Sequence, residues 1–173
     1  MDEFEQRKRE VLQPIFTEVG AALFDCQTFE YGMAYLLYLL SRFGTVGLNP
    51  KYTIAILEHD EKKTAGQLIT LLKKHAHVSD GLEQKLSAGL EARNELIHRY
   101  LVENIERMTD PAQHDKMVSE IRLLRSKVQK SDKSLEPFLS FLMETVDGIK
   151  MGDLANDAKA KFLADTRFYH DNR

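Results

Sequence analysis

Three polar side chains suited to phosphate chemistry, Arg93, Asn94 and His98, fall within one six-residue stretch. A guanidinium donates paired hydrogen bonds to a phosphate, and an imidazole changes its protonation near neutral pH and serves as a general acid or base. At 100° per residue, Arg93 falls between Leu86 and Tyr100 on the apolar stripe of its helix. A cation on a core stripe is costly to bury unpaired, so Arg93 predicts either an internal ion pair or a cleft.

Glu30 is likewise a charged residue on a core stripe, because it falls inside the apolar stripe of the first predicted helix. One interpretation is a buried Glu30–Arg93 pair that fixes the helix register and does no chemistry. The other is that Arg93 lines a cleft or a subunit interface, where a cation and an imidazole act on an anion. In that case Glu30 supports the site by holding the Arg93 side chain in its productive conformation.

The string Ala92-Arg93-Asn94-Glu95-Leu96-Ile97-His98-Arg99-Tyr100 resembles the signature of the HEPN superfamily of helical domains. That signature is an arginine, a polar residue, a short spacer and a histidine on a late helix of a small bundle. The helical setting is similar over most of residues 16–149. The resemblance implies a domain that often dimerises across a two-fold axis. Many members are metal-independent endoribonucleases, and several are toxins restrained by a partner such as a small nucleotidyltransferase. Other members have lost catalysis and serve as binding or scaffold domains.

For this chain the resemblance implies a catalytic set of Arg93, Asn94 and His98. His98 would exchange a proton with a ribose 2′-hydroxyl, Arg93 would stabilise the phosphate, and Asn94 would orient either one. In a regular α-helix the five-residue spacing puts Arg93 and His98 about 140° apart, so one helix does not easily aim both at one point. We therefore expect a composite site at the interface of a homodimer. The alternative function is a non-catalytic helical binding or scaffold domain in which Arg93 and Glu30 form a structural pair.

Two further groups of residues are candidates for contacts with RNA. A basic strip between Lys116 and Lys133 could follow an RNA backbone or be the solvated face of a long helix. The candidate RNA-binding residues of this strip are Arg122, Arg125, Lys127 and Lys130. Arg99, which follows the motif histidine, is a further candidate. A set of aromatic residues at helical spacing could stack bases or belong to the core. These residues are Phe29, Tyr31, Tyr35 and Tyr38.

Composition limits the class of protein. The 27 acidic and 24 basic residues give a formal charge of −3, which argues against coating nucleic acid by bulk charge. The single cysteine, Cys26, excludes an intramolecular disulfide framework and a cysteine-based zinc site. Glu95 and His98 form only half of a di-iron motif, so we expect neither a metal nor a cofactor. The charged start and the short apolar run Met33–Leu40 favour a cytoplasmic protein without a membrane span.

Helical periodicity covers most of the chain and predicts the elements that carry these residues. The predicted helices are 3–41 with a bend at Pro14, 51–58, 64–75, 80–107 with Ser79 as N-cap, and a long segment after Pro111 interrupted at Ser134 or Pro137. We expect no strand. The predicted fold is an all-α bundle of four to five main helices, formed by residues 1–150 as one domain, with a polar C-terminal helix and tail over 151–173. The first helix is expected to bury Ile15, Val19, Leu23, Cys26, Met33, Leu37 and Leu40.

Overall fold

The computed structural model describes residues 3–149 and 166–168. The longer helices are α1 (Glu3–Arg42), α2 (Pro50–Leu57), α3 (Ala65–His75), α4 (Asp80–Asn94), α6 (His114–Lys133) and α7 (Glu136–Asp147). A π-turn (Glu95–Arg99) and the short α5 (Tyr100–Glu103) continue α4, and two 3₁₀ turns follow at Arg107–Thr109 and Pro111–Gln113. Two short strands are β1 (Ala76–Val78) and β2 (Thr166–Phe168). In the described residues, five helices have eleven residues or more, so the predicted all-α bundle is confirmed.

Local sequence signals account for where the helices begin. Thr64 caps α3 and forms a capping box, in which its side chain accepts from the Gln67 amide while the Gln67 side chain accepts from the Thr64 amide. Ser79 caps α4, as the sequence predicts. Helix α1 continues through Pro14. The break expected in the last long segment lies between α6 and α7, with Pro137 in the first turn of α7.

The core forms where α6 packs along both α1 and α4, with α2, α3 and α7 covering the rest of α1. Gly89 of α4 lies so close to α6 that a Cβ atom there would overlap the Ser131 side chain. The two helices therefore meet with almost no side chain between them at this point. The largest fully buried side chains are Ile15, Phe29, Met33, Leu37, Leu39, Leu40, Leu72, Leu86, Met117, Ile121, Leu135 and Phe138.

The apolar stripes of α1 and of the predicted 80–107 helix each assign to the core one residue that is exposed, Leu23 and Ile97 respectively. Leu23 of α1 is 47% exposed, although Cys26 and Met33 on the same stripe are buried. Ile97 is 36% exposed, while its neighbour Leu96 is buried. The prediction fails at Ile97 because the helix is not a regular α-helix there. It fails at Leu23 because no other element in the described part of the chain packs against that edge of α1.

A three-residue antiparallel ladder joins β1 to β2, with Ala76 opposite Phe168 and Val78 opposite Thr166. It departs from the expectation of no strand. Three residues are too few for alternating periodicity to be recognised in the sequence. Apart from β2, the polar helix and tail predicted over residues 151–173 lie outside the described residues.

Candidate functional site

The Arg93–His98 stretch contains a change of helix type. From Glu95 to Arg99 the chain forms a π-turn, in which the amide of Tyr100 donates to the carbonyl of Glu95, five residues earlier. Such turns are rare and occur mostly as single turns within α-helices, frequently at functional sites. Because the turn contains one residue more than an α-helical turn, residues five apart lie above one another as residues four apart do in an α-helix.

Arg93 makes three side-chain hydrogen bonds at the start of this turn. Its Nε donates to Glu30 Oε1 at 2.6 Å, and its Nη1 donates to Asn94 Oδ1 at 3.1 Å. The same Nη1 lies 2.8 Å from Nε2 of His98. A guanidinium has no acceptor, so His98 must accept this bond with the lone pair of a neutral imidazole. The structure therefore brings together all four predicted residues, Glu30, Arg93, Asn94 and His98.

The Glu30–Arg93 ion pair is partly buried, with the Arg93 side chain 14% exposed and the Glu30 side chain 29% exposed. The predicted pairing of these two residues is confirmed. Arg93 Nη2 has no hydrogen-bond partner among the residues that the structure describes. Its donors are the part of the guanidinium that is left to bind a ligand.

A surface depression of about 390 Å³ contains the motif residues. The π-turn and the end of α4 form one side, and the start of α3 forms the other. It is lined by Thr64, Gly66, Leu90, Arg93, Asn94, His98 and Arg99. Cationic and hydrogen-bonding groups in a shallow opening of this kind suit an anion that remains attached to a larger molecule.

The π-turn overturns the expectation that Arg93 and His98 of one chain point apart. The 140° separation of Arg93 and His98 holds for a regular α-helix, but the π-turn brings their side chains into contact within one chain. A second copy is therefore not needed to bring an arginine next to a histidine.

Two arginines in the basic strip of α6 form ion pairs with α1. Arg125 forms ion pairs with Glu18 and Asp25 of α1, and Arg122 donates to Glu18 at 2.7 Å. Burial alone would raise the pKa of Glu18, but the hydrogen bonds and charges of the two arginines lower it below its ordinary value. These two candidate RNA contacts thus hold α6 against α1.

The other basic candidates are exposed, as is the Arg122 side chain, which is 64% exposed although it is paired. Lys127 and Lys130 are exposed on α6. Arg99 is exposed at the rim of the depression, where its Nη2 lies 2.8 Å from Glu95 Oε2. Glu95 and Arg99 thus form an ion pair within the π-turn. In the described part of the chain, no three histidine, cysteine or acidic side chains are grouped to hold a metal ion.

The helix beyond the π-turn is fixed to α6 by a polar network. Tyr100 Oη donates to Glu120 Oε2 at 2.6 Å, and Arg107 donates to the same oxygen at 2.8 Å. Burial and the bond to Glu120 raise the pKa of Tyr100, while the bonds from Arg107 and Tyr100 lower that of Glu120. This network holds the downstream end of the π-turn in place.

A second and deeper cavity, of about 460 Å³, lies on the other side of Glu30. Tyr31 and Gln27 of α1 line it, together with His59 and Lys63 from the loop between α2 and α3. Tyr31 stacks on Tyr35, and Tyr35 on Tyr38, with centroid separations of 6.2 Å, whereas Phe29 is fully buried. The aromatic set therefore divides into one core residue and a stacked row whose first ring is exposed.

Sequence reasoning missed the α3 side of the depression. The Thr-x-x-Gln pattern of Thr64 and Gln67 predicts the start of a helix. The pattern does not indicate that this start lies opposite Arg93 and His98 in the folded chain. That proximity depends on how α3 folds back against α1, which is a tertiary relationship.

Among the described residues, no helix has both the length and the apolar character needed to cross a bilayer. No protein-family model, curated protein or solved structure matches this chain.

Proposed function

We propose that this chain is a HEPN-like, metal-independent endoribonuclease in which Arg93 and His98 act on one phosphodiester. The observation that carries the proposal is the contact between Arg93 Nη1 and His98 Nε2, at 2.8 Å, in an open depression. Glu30 and Asn94 hold the guanidinium in one conformation, so Arg93 loses little side-chain freedom when Nη2 binds a phosphate. The resemblance of the motif to the HEPN signature supplies the reaction class.

The reaction would proceed through the ribose 2′-hydroxyl. His98 Nε2 releases Arg93 and accepts the hydroxyl proton, while the 2′-oxygen attacks the adjacent phosphorus and the 5′-oxygen leaves. Arg93 then donates from Nη1 and Nη2 to the phosphoryl oxygens as negative charge builds on them. The protonated His98 can return its proton to the leaving oxygen. The products are a 2′,3′-cyclic phosphate and a free 5′-hydroxyl.

The surroundings of the site suit a weak and local interaction with RNA. The chain has a formal charge of −3, so phosphate contacts must be concentrated near the depression. Arg99 at its rim is the exposed cation proposed for that role, and Lys127 and Lys130, exposed on α6, are proposed as further RNA contacts. A cytoplasmic toxin or RNA-defence component, restrained by an antitoxin or a nucleotidyltransferase-type partner, is the biological setting that the resemblance suggests.

The test is RNA cleavage in excess chelator by the wild type, His98→Ala and Arg93→Ala. We expect each substitution to reduce cleavage by about 10²-fold or more. His77→Ala is the matched control, since His77 is an exposed histidine outside the depression. Absence of cleavage by the wild type, or full cleavage by His98→Ala, would rule the proposal out.

The second candidate is a non-catalytic binding or scaffold domain. The observation that favours it is that Arg93 Nε and Nη1 are both engaged by residues of the same chain. In that case Arg93→Ala lowers the melting temperature, the wild type does not cut RNA, and His98→Ala has little effect on stability.

A further inference from the structure

The cavity beside Glu30 has the size and the lining of a small-molecule site. Its volume of about 460 Å³ lies within the range of about 300–1,000 Å³ that is usual for such sites. The apolar part of its lining comes from α1, α2 and α3, and consists of Ala34, Ile56, Leu57 and Leu68. A few polar groups complete the lining, and groups of that kind fix the orientation of a ligand on an otherwise apolar wall.

Two of these polar groups lie one turn apart on α1. Gln27 and Glu30 are three positions apart, so they share one face of the helix. Glu30 Oε1 accepts from Arg93, but Glu30 Oε2 has no hydrogen-bond partner among the described residues. The Gln27 amide has none there either. This wall of the cavity therefore presents an anionic acceptor beside an amide that can donate.

Tyr31 adds an aromatic ring next to that wall. Its side chain lines the cavity and is 54% exposed. The ring stacks on Tyr35 with a centroid separation of 6.2 Å, and its exposed area remains available for a ligand. Exposed aromatic rings are the surfaces on which proteins stack nucleobases.

His59, also on the cavity lining, has a strained backbone. Its φ of +65° is the one positive φ of a non-glycine residue in the described ranges. His59 directly follows the C-cap residue of α2, and glycine is the usual residue in that position. Strain of this kind is found preferentially at ligand sites. Here the histidine in place of a glycine puts an imidazole on the wall of the cavity.

Lys63 gives the cavity a positive charge. Its ammonium group lies 5.9 Å from the centre of the Tyr52 ring, and it has no carboxylate partner in the part of the chain that the structure describes. Lys63 and His59 come from the same loop and line the same cavity. Together they present N–H donors suited to a phosphate group.

We propose that this cavity binds a guanine nucleotide. The base stacks on Tyr31, its N1–H and 2-amino group donate to Glu30, and its O6 accepts from the Gln27 amide. The phosphate contacts His59 and Lys63. Among the four RNA bases, only guanine has two neighbouring donor groups on its pairing edge, so only guanine gives the carboxylate two hydrogen bonds.

A series of nucleotides tests the assignment of the base. Isothermal titration calorimetry should show one GMP bound per chain. Inosine monophosphate lacks only the 2-amino group, and we expect it to bind at least tenfold more weakly, because one bond to a charged acceptor is lost. AMP, CMP and UMP should also bind at least tenfold more weakly. The absence of GMP binding at millimolar concentration, or equal affinity for all five nucleotides, overturns the proposal.

Lys63→Gln tests the position of the phosphate. The dissociation constant of GMP should rise about tenfold, whereas that of guanosine, which has no phosphate, should not change. Lys85→Gln is the matched control, since Lys85 is an exposed lysine of α4 outside the cavity. Equal effects of Lys63→Gln on GMP and guanosine, or no effect on either, contradict the arrangement.

Tyr31→Ala tests the stacking contact. We expect the loss of the ring to weaken GMP and guanosine alike, by about tenfold. Phe24→Ala is the control, because Phe24 is a 65% exposed aromatic residue of α1 that does not line the cavity. Unchanged affinity in Tyr31→Ala, or an equal loss in Phe24→Ala, overturns the proposal.

His59→Gly separates folding from binding. Glycine adopts a positive φ without strain, so the melting temperature of the free protein should not fall. The affinity for GMP should fall several-fold, because the imidazole is lost, and unchanged affinity contradicts the arrangement. None of these experiments measures RNA cleavage, so they are independent of the proposed function. GMP affinity should also be unchanged in His98→Ala, and a loss there would place the nucleotide in the Arg93–His98 depression and overturn the proposal.

Discussion

Arg93 Nη1 and His98 Nε2 lie 2.8 Å apart in a single chain, although the two residues are five positions apart in the sequence. The contact exists because the π-turn from Glu95 to Arg99 aligns residues five apart. It requires a neutral imidazole, since protonated His98 would place two donors against each other. The same pair can therefore exchange an internal hydrogen bond for bonds to a phosphate and a hydroxyl, which is the basis of the proposed chemistry.

The strength of the Glu30–Arg93 pair can be measured by a double-mutant cycle with Glu30→Gln and Arg93→Met. Glu30→Gln removes the negative charge that faces the partly buried guanidinium, and Arg93→Met leaves the Glu30 carboxylate without its partner. We expect each change to lower the free energy of unfolding by about 1–3 kcal/mol. Urea denaturation should give a coupling energy above about 1 kcal/mol. The Lys73–Glu83 pair, which is exposed on both sides, is the control and should give about 0.5 kcal/mol or less. Equal couplings for the two pairs would contradict the structural role.

Deleting Ile97 tests the importance of the π-turn. The deletion leaves the arginine and the histidine four positions apart, a spacing that a regular α-helix also brings together. Since Ile97 is partly exposed and the turn has one residue in excess, we expect a cost of about 1 kcal/mol, or about 2–4 °C in Tm. RNA cleavage should remain within about tenfold of the wild type, which is about 1.4 kcal/mol in the barrier.

Deletion of Ala88 is the matched control for Ile97. Ala88 lies in the regular part of α4, where removing one residue turns every later side chain by about 100°. We expect that variant not to fold, as judged by circular dichroism and thermal melting. The π-turn interpretation is wrong if both deletions are equally damaging.

Helix positions were largely predictable from the sequence, whereas the site geometry was not. Apolar periodicity, the caps at Thr64 and Ser79 and the first-turn Pro137 are local signals, and the helices follow them. The π-turn leaves no such signal, because the sequence from Glu95 to Arg99 is compatible with an α-helix. The turn lies between Arg93, which is bonded to Glu30, and Tyr100, which is bonded to Glu120. These are contacts between distant parts of the sequence, which local patterns do not predict.

Ser131→Ala should stabilise the protein. Beside Gly89, the buried Ser131 hydroxyl has no hydrogen-bond partner among the described residues, and such a group costs about 1–3 kcal/mol. We expect the free energy of unfolding in urea to increase by about 1 kcal/mol. Ser119→Ala on the same helix is the control, since Ser119 is exposed and bonded to the Asp115 carbonyl. An equal gain in both variants would mean that only helix propensity has changed.

Glu18 should make stability depend on acid pH. Its pKa is lowered in the folded protein, because the bonds from Arg122 and Arg125 outweigh the effect of burial. A lowered folded pKa contributes stability that is present above the unfolded value of about 4.3 and is lost as the pH falls through the folded value. We expect Glu18→Gln to be less stable at pH 7 and to show a shallower loss of stability below about pH 5.

The matched control for Glu18 is Glu91→Gln, since Glu91 is an exposed glutamate of α4. Its unfolding free energy should follow the wild type at every pH. Parallel pH profiles for the wild type and Glu18→Gln would show that Glu18 is not the acid-sensitive group.

The π-turn also joins two helical segments that are anchored separately. Upstream, Arg93 is bonded to Glu30 of α1, and downstream, Tyr100 is bonded to Glu120 of α6. A displacement of α1 relative to α6 would therefore act on the π-turn from both of its ends. A molecule that causes such a displacement by binding α1 or α6 would change the access of the imidazole to a ligand without touching the depression.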